Sequence, residues 1–327
     1  MNWSQQSILI TGGTGSFGRK FVELVLRELR PRKLIVFSRD ELKQHEMRQE
    51  FPDTGDSPVR YFLGDVRDRE RLYRAFYGVD VVVHAAALKQ VPACEYNPFE
   101  AILTNVMGAK NVVDAAIDCG VQRVMALSTD KACQPVNLYG ATKLCAEKLF
   151  VDGNAYSGDR PTRFACARYG NVVASRGSVI PVFLEQRRNG RITITDPAMS
   201  RFWITLEQGV RFVVRSVEEM HGGEIFVPKI PSMTLLELSR TVAPDCEIDV
   251  IGMRPGEKTH EILVSEDEAR YTVELDDKFV ILPAGFEQTT KRWKDGRPLS
   301  AGFRYGSDTN TQQLTPKTLT ELLGPLG

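Results

Sequence analysis

Tyr139 and Lys143 are two side chains suited to proton transfer at an alcohol, and they stand four residues apart. In a helix this spacing places both side chains on one face. A lysine ammonium near a phenol favours the phenolate, so a tyrosine whose pKa is normally about 10 can act as a base nearer neutrality. The pattern occurs often by chance, and its meaning depends on the elements that position it.

A second reactive group, Ser128-Thr129-Asp130-Lys131, precedes this pair in the chain. A hydroxyl from Ser128 or Thr129 is enough to orient an alcohol during simple oxidation. Simple oxidation does not require the adjacent acid, Asp130, and amine, Lys131, so their presence indicates additional proton transfers. On local sequence alone, an Asp130–Lys131 ion pair that caps a loop is an equally good interpretation.

The glycine-rich run TGGTGSFG at residues 11–18 follows an aliphatic segment and opens a helical pattern. Its glycines allow a tight turn, close approach of a pyrophosphate and close packing of the helix on a sheet. The helix N-terminus then offers N–H groups to the phosphates. We predict a dinucleotide site that includes Gly12, Thr14, Gly15, Ser16, Phe17 and Gly18.

The end of the second predicted strand indicates which dinucleotide binds. NAD-selective sites usually place an acid there, but this chain has Ser38-Arg39-Asp40, followed by Lys43. Arg39 and Lys43 can hold a 2′-phosphate, so we predict NADP. The alternative is that these charges are solvated at a helix start, where Asp40 is only the N-cap. Further cofactor contacts are predicted at Asp65, Val66, Ala85, Ala86, Lys89, Leu127, Ser128, Tyr139, Lys143 and Val172.

These residues need a parallel sheet to bring them together. Strands are predicted at 7–10, 33–37, 59–63, 79–84, 123–128 and 162–169, and helices at 17–29, 40–51, 98–120 and 138–151. The alternation predicts an α/β fold with a doubly wound parallel Rossmann sheet, whose carboxyl ends hold the ligands. We assign residues 1–170 to this cofactor-binding and catalytic domain. Residues 171–327 form a smaller C-terminal substrate-binding lid, parts of which can return to the first domain.

Composition argues against several functions. Lys+Arg and Asp+Glu both number 42, and this zero net charge gives no support to nucleic-acid or membrane-surface binding. The apolar runs are far shorter than the ~20 residues that span a bilayer, and the first residues show no signal-peptide pattern. Six cysteines without CxxC spacing favour reduced thiols in a cytoplasmic protein. The scattered histidines predict no metal site, and His84 is expected to be a packing residue.

Together these motifs resemble the extended, sugar-nucleotide branch of the short-chain dehydrogenase/reductase superfamily. Within it, the chain is similar to the inverting UDP-N-acetylglucosamine 4,6-dehydratases, which make the first intermediate of pseudaminic acid synthesis. The Asp-Lys pair before YGATK separates this group from retaining dehydratases, which pair Asp with Glu. Gln90 and Gln134 depart from the pattern, which has His and Asn there. The matching stretches include SRDELK (38–43), GDVRD (64–68), HAAALKQVP (84–92), LSTDKA (127–132), NLYGATKLCAEKLF (137–150), RYGNV (168–172) and RPGEK (254–258).

The resemblance implies a reaction on UDP-N-acetylglucosamine. Tyr139 takes the proton of the 4-hydroxyl while hydride leaves C4 for the nicotinamide, Lys131 removes the C5 proton, and Asp130 assists loss of the C6 hydroxyl. Hydride returns to C6, and a proton reaches C5 on the opposite face. Lys131 needs a lowered pKa for this role, which we expect from Lys143, the nicotinamide and burial. Thr129 and Lys143 complete the predicted catalytic set.

The resemblance also implies substrate contacts and an assembly. A homo-oligomer is expected through the predicted helices at 98–120 and 138–151. The alternatives are a UDP-sugar 4-epimerase, which needs no C5 base or C6 acid, and a non-catalytic NADP-binding regulatory protein. The implied substrate-binding residues are Lys89, Asn171, Arg176, Ser178, Val179, Thr195, Arg254 and Glu257.

Overall fold

The structure, a computed structural model, describes residues 1–173, 179–283 and 291–323. The strands that alternate with helices in the first half are β1 (Ser7–Thr11), β2 (Lys33–Ser38), β3 (Val59–Leu63), β4 (Val81–His84), β5 (Arg123–Thr129) and β6 (Arg163–Tyr169). Later strands are β7 (Asn171–Val172), β8 (Arg191–Ile194), β9 (Ser200–Ile204), β10 (Ile225–Pro228), β11 (Ser232–Thr234), β12 (Glu247–Val250), β13 (Ile262–Val264), β14 (Thr272–Glu274), β15 (Lys278–Ile281), β16 (Arg297–Pro298) and β17 (Tyr305–Gly306).

The described helices cover both faces of the central sheet and build the C-terminal part. They are α1 (Ser16–Leu24), α2 (Glu41–Glu50), α3 (Arg69–Phe76), α4 (Val91–Tyr96), α5 (Pro98–Ile102), α6 (Gly108–Cys119), α7 (Leu138–Tyr156), α8 (Val179–Arg187), α9 (Leu206–Glu219), α10 (Leu235–Val242), α11 (Glu266–Ala269) and α12 (Pro316–Leu323). A π-helical turn, Leu103–Met107, joins α5 to α6, so the predicted long helix at 98–120 is continuous but not uniformly α-helical. Within the described ranges, every helix is too short or too polar to cross a membrane.

The central sheet has ten strands in the order β16-β14-β15-β10-β6-β5-β4-β1-β2-β3. From β3 to β10 every pairing is parallel. The inner strands β1 and β4 are buried along their whole length because helices cover both of their faces. The predicted α/β fold with a doubly wound parallel Rossmann sheet is confirmed.

The C-terminal half contributes to this sheet as well as to a smaller body. The helix α9 leads into β10, which pairs parallel to β6 and adds one more crossover unit. The strands β15, β14 and β16 then extend the edge in antiparallel fashion. The remaining elements pack a second apolar core that includes Ile192, Trp203 and Leu238. The sheet therefore extends past residue 170, and the division of the chain there remains a prediction.

The local sequence directs α7 toward the ends of the strands. Asn137 caps this helix, since its side chain accepts the N–H of Gly140 at 2.8 Å. Gly140 packs so closely against the Lys131 carbonyl that a side chain there would collide with it. The first turn of α7, which carries Tyr139, is thereby held against the segment that carries Lys131.

Candidate active site

A cleft of about 820 Å³ opens at the carboxyl ends of the parallel strands. It starts at the turn after β1, passes the ends of β2, β4 and β5, and is bordered by residues 254–257 of the C-terminal part. The predicted site residues that line this cleft are Gly12, Thr14, Gly15, Ser16, Phe17, Gly18, Ser38, Arg39, Asp40, Lys43, Asp65, Val66, Ala85, Ala86, Lys89, Leu127, Ser128, Thr129, Lys131, Tyr139, Lys143, Asn171, Val172, Val179, Arg254 and Glu257.

Other predicted residues have different positions. Asp130 is buried beside Lys131 and accepts a hydrogen bond from its Nζ at 3.0 Å. Thr195 is also buried, and its hydroxyl donates to the sulfur of Met199 at 3.1 Å. Arg176 and Ser178 lie outside the described residues. The structure therefore brings most of the predicted set to one cleft, but it does not bring Thr195 there.

The turn after β1 fits the diphosphate of a dinucleotide. Gly12 adopts φ +66°, and a Cβ at this position would lie 2.8 Å from the backbone of Ala86. The helix α1 begins at Ser16 without a side-chain cap, which leaves its first N–H groups available to an anion. Thr14 and Ser38 share a hydrogen bond of 2.8 Å, which holds the turn against the end of β2.

The cations at the end of β2 border the same cleft. Arg39 is half exposed, and its guanidinium lies 3.3 Å from the carboxylate of Asp65. Lys43 lies 2.5 Å from Asp40, and this contact lowers the pKa of the Asp40 carboxyl. Asp40 also caps α2 through the backbone N–H of Lys43. Asp40 therefore lines the cleft and also caps α2.

The Tyr139–Lys143 pair lies on the buried face of α7. The Nζ of Lys143 donates to the carbonyl of Leu127 at 2.7 Å, and burial lowers its pKa. Tyr139 shares a hydrogen bond with Thr129. Burial raises the pKa of Tyr139 to about 12, although the charge of Lys131 and the Thr129 contact oppose that rise. The cation that most lowers the pKa of Tyr139 is thus Lys131, whereas the sequence alone predicted this role for Lys143.

Lys131 lies between two buried carboxylates. Its Nζ is 3.0 Å from Asp130 and 3.2 Å from Glu261. Burial disfavours the ammonium, but the two carboxylates outweigh burial and raise the pKa of Lys131. The protein's own groups therefore raise this pKa and do not lower it, because a second carboxylate, Glu261, faces the amine. The expected lowering by the nicotinamide and the bound sugar stays a prediction.

Glu261 is the main functional candidate that the sequence analysis missed, together with Arg201 and Trp203 at the same end of the cleft. Glu261 comes three residues after the RPGEK stretch, and this proximity was the only available signal. Its partner Lys131 is distant in sequence, so no periodic pattern connects the two residues.

Histidines and acids provide no metal centre in the part of the chain that the structure describes. His84 is a packing residue, as predicted: it is buried, lies against the ring of Phe150 and shares a hydrogen bond of 2.8 Å with Thr11. Burial lowers the pKa of His84 to about 3, so the ring is neutral at physiological pH.

A parallel sheet with a glycine-rich turn after β1 and a YxxxK helix after β5 defines a Rossmann-fold protein of the short-chain dehydrogenase/reductase type. The chain belongs to the family described as polysaccharide biosynthesis protein, whose family model matches residues 8–283.

Individual relatives cover nearly the whole chain. A Campylobacter jejuni protein named UDP-N-acetylglucosamine 4,6-dehydratase (inverting) is 49% identical over an alignment of 331 positions that covers 98% of each chain. A Rickettsia massiliae protein named UDP-glucose 4-epimerase is 40% identical and covers 97% of this chain and 95% of its own. The X-ray structure of Pen from Bacillus thuringiensis superposes with a TM-score of 0.89 at 38% identity and covers 99% of this chain and 98% of its own.

Proposed function

We propose that this protein is a UDP-N-acetylglucosamine 4,6-dehydratase that inverts C5 and forms UDP-2-acetamido-2,6-dideoxy-β-L-arabino-hex-4-ulose. The observation that carries this proposal is the Asp130–Lys131 pair, held at the cleft beside Tyr139. Oxidation of an alcohol needs only the tyrosine, whereas elimination of water needs an additional base and acid. The relative that is 49% identical and bears this activity in its name supports the assignment.

Tyr139 acts first in the proposed reaction. Its phenol accepts the proton of the sugar 4-hydroxyl, and the contacts with Thr129 and Lys131 stabilise the phenolate that must form beforehand. Lys143, fixed by the Leu127 carbonyl, supplies a cationic side chain at the cofactor end of the same helix face. A nicotinamide bound in the cleft supplies the hydride acceptor for C4 and the hydride donor for C6.

The Asp130–Lys131 pair then carries out the elimination with one shared proton. Transfer of that proton from the ammonium to the carboxylate across their 3.0 Å hydrogen bond produces a neutral amine and a carboxylic acid. The amine removes the proton at C5, which the 4-ketone has acidified, and the acid protonates the departing C6 hydroxyl. The pair thereby returns to its ionised form, and water is released.

A UDP-sugar 4-epimerase is the second candidate, because relatives that are 40% identical carry that name. An epimerase uses the same glycine-rich turn and tyrosine, but it gives the Asp130–Lys131 pair no role. Product analysis separates the two functions, since an epimerase yields only a C4 epimer. A non-catalytic regulatory protein is disfavoured by the intact tyrosine and lysine pairs, and turnover of any UDP-hexose excludes it.

The direct test is incubation of the purified protein with UDP-N-acetylglucosamine and NMR of the product in heavy water. A 4-keto-6-deoxy sugar of the L configuration with deuterium at C5 is the expected product. A C5-retained product would contradict inversion and leave dehydration intact. A product still carrying its C6 hydroxyl would contradict the dehydratase assignment.

NADP is the proposed cofactor, and Arg39 and Lys43 at the cleft edge support it. The Arg39→Ala variant should lose affinity for NADP but not for NAD, because only NADP has a 2′-phosphate. Charge-assisted hydrogen bonds contribute ~1.5–3 kcal/mol, so the NADP/NAD affinity ratio should fall by roughly tenfold or more. An unchanged ratio by calorimetry would make Arg39 a solvated charge.

A cytoplasmic homo-oligomer in pseudaminic acid synthesis completes the proposal. The six free cysteines suit a reducing compartment. Large apolar side chains on successive helical turns are exposed and suit a contact between copies of the chain; they are Tyr96, Phe99, Ile102, Leu103 and Met107. Light scattering of the purified protein tests the assembly.

A further inference from the structure

Glu261, in the segment that leads into β13, contacts the proposed base Lys131. Its Oε1 lies 3.2 Å from the Nζ of Lys131, and its side chain is 2% exposed. Its other oxygen, Oε2, is buried without a hydrogen-bond partner among the described residues. Glu261 nevertheless lines the cleft, so this carboxylate lies at the site and is not a remote structural group.

We propose that Glu261 is a positioning residue that holds the Lys131 amine between two carboxylates, in the orientation required for C5 proton abstraction. This inference rests on the proposed dehydratase function. A lysine amine sits on a flexible four-carbon chain, and a single contact with Asp130 leaves that chain free to swing. A second anion at 3.2 Å restricts the amine to the line between the two carboxylates.

Two further cations hold Glu261 in place. Lys258 Nζ lies 3.6 Å from Oε2 of Glu261, and Arg201 Nε lies 4.0 Å from its Oε1. Arg201 also donates to the carbonyls of Lys258 at 2.9 Å and Thr259 at 3.0 Å, so it fixes the backbone that leads to Glu261. The carboxylate is therefore anchored from its own segment and from β9.

The segment that ends at Glu261 is tied to the catalytic segment at three points. Besides the Glu261–Lys131 contact, Lys258 donates to the carbonyl of Cys133 at 2.6 Å. The side chain of Asn137, which caps α7, donates to the carbonyl of Gly256 at 2.8 Å. The same segment begins with two of the predicted substrate-binding residues, Arg254 and Glu257. A nucleotide held there would thus order the residues that aim Lys131.

The charges around Lys131 determine how the pH–rate profile should change when Glu261 is substituted. Asp130 faces it from its own segment, Tyr139 from α7, Glu261 from the segment before β13, and Arg201 from β9. Loss of the Glu261 charge makes both proton losses of the Asp130–Lys131 pair easier. Both limbs of the pH–rate profile should therefore move to lower pH, which a purely structural residue would not cause.

The experiment compares Glu261→Gln and Glu261→Asp with wild type, with Glu266→Gln as the matched control. Glu266 undergoes the same change on an exposed turn of α11. A displacement of about 1 Å at a reacting group can cost roughly 10²-fold in rate. In Glu261→Gln we expect kcat to fall by about that factor, KM for UDP-N-acetylglucosamine to change less than about threefold, and both pH limbs to shift down by about one unit. Glu261→Asp keeps the charge, so its pH limbs should stay in place while kcat recovers partly.

Three outcomes would overturn the inference. They are an unchanged kcat in Glu261→Gln, a loss confined to KM, and identical pH profiles for Glu261→Gln and wild type. If Glu261→Gln does not fold, as judged by its melting temperature, a Glu261→Asp variant with full kcat overturns it equally. Wild type is assayed first: absence of the 4-keto-6-deoxy product would refute the proposed function, whereas its presence with an inert Glu261 variant would refute only the positioning role.

Discussion

Two clusters of buried charge in this molecule have the same arrangement, but they differ in their cation and in how many of their hydrogen bonds are satisfied. Each places one cation between two carboxylates. One cluster is built from the turn after β5 and the segment before β13, and the other from α7, β6 and α11. The cleft cluster is Asp130–Lys131–Glu261, and the inner cluster is Glu147–Arg168–Glu268.

The inner cluster satisfies every donor of its cation. Arg168 is fully buried, and its five N–H groups donate to Glu147, to Glu268 and to the carbonyl of Leu263 at 2.7–3.0 Å. Ser128 of β5 donates to Glu147 as well, which ties the cluster to the strand that leads into the catalytic segment. A guanidinium keeps its proton at any physiological pH, so this cluster can only hold elements together.

The cleft cluster is incomplete by contrast. Asp130 and Glu261 each keep one buried oxygen without a hydrogen-bond partner among the described residues. The cation is an amine, which can release a proton when its surroundings change. The comparison indicates that the choice of cation and the unmet hydrogen bonds separate a cluster that can react from one that stabilises the fold.

Lys131→Arg should have the largest effect, and it tests whether proton release by the cation distinguishes the cleft cluster from the inner cluster. Arginine preserves the positive charge between Asp130 and Glu261, but it cannot act as the base. We expect product formation to fall by about 10³-fold or more, while NADP affinity and melting temperature stay close to wild type. Lys131→Ala should fail in the same way. Activity in Lys131→Arg near that of wild type would show that charge alone, and not proton release, is the function of this position.

Arg168→Met tests the inner cluster. The substitution leaves Glu147 and Glu268 facing each other in the interior, and loss of one partner of a buried ion pair costs ~3–5 kcal/mol. The free energy of unfolding in urea measures this loss. The matched control, Lys131→Met, should cost less, because Glu261 lines the cleft and keeps Lys258 and Arg201 as neighbouring cations. Equal losses in the two variants would mean that the two clusters do not differ in their contribution to stability.

Acid unfolding should depend on Glu268. Burial works against its carboxylate, but the Arg168 guanidinium outweighs burial and lowers the pKa of Glu268 to about 2 from an ordinary value of 4.5. A lowered pKa in the folded state adds stability above pH 4.5, and this stability is lost as the pH falls toward 2. The shift corresponds to about 3 kcal/mol.

Glu268→Gln should therefore be less stable than wild type at pH 7, and in urea titrations the difference should shrink below pH 4.5 and vanish only near pH 2. The buried ring of His84 also destabilises the fold in acid, but it does so equally in both proteins. A constant difference between wild type and Glu268→Gln across this pH range would contradict the ion-pair account.

The parts of this molecule that local sequence encodes were predictable. The segment Val59–Leu63 is a strand with the predicted bounds, and the turn at Gly12 and the Tyr139–Lys143 face lie where their motifs placed them. The inner strands β1 and β4, which are buried on both faces, leave a continuous signal because most of their residues are apolar.

Features that depend on distant contacts were not predictable. Glu261 gains its meaning only when β13 comes beside Lys131, and Arg168 only when Glu268 arrives from a segment 100 residues away. The helix α3 was also missed, because its charged exposed face obscures the few apolar positions that pack on the sheet. Long-range ion pairs leave no periodicity in a single sequence.

The smallest expected effect concerns backbone strain beside the cleft cluster. Gln134 is exposed, follows the turn that carries Lys131, and adopts φ +48°, a left-handed conformation that asparagine tolerates better than glutamine. Gln134→Asn should therefore raise the free energy of unfolding by up to about 1 kcal/mol, measured in urea, without changing kcat/KM. Arg30→Asn is the matched control, since Arg30 also has φ +48° but lies far from the cleft. If only Arg30→Asn raises the free energy of unfolding, contacts of the segment that carries Lys131 already compensate the backbone strain at Gln134. The cleft cluster would then be incomplete only in the hydrogen bonds of Asp130 and Glu261.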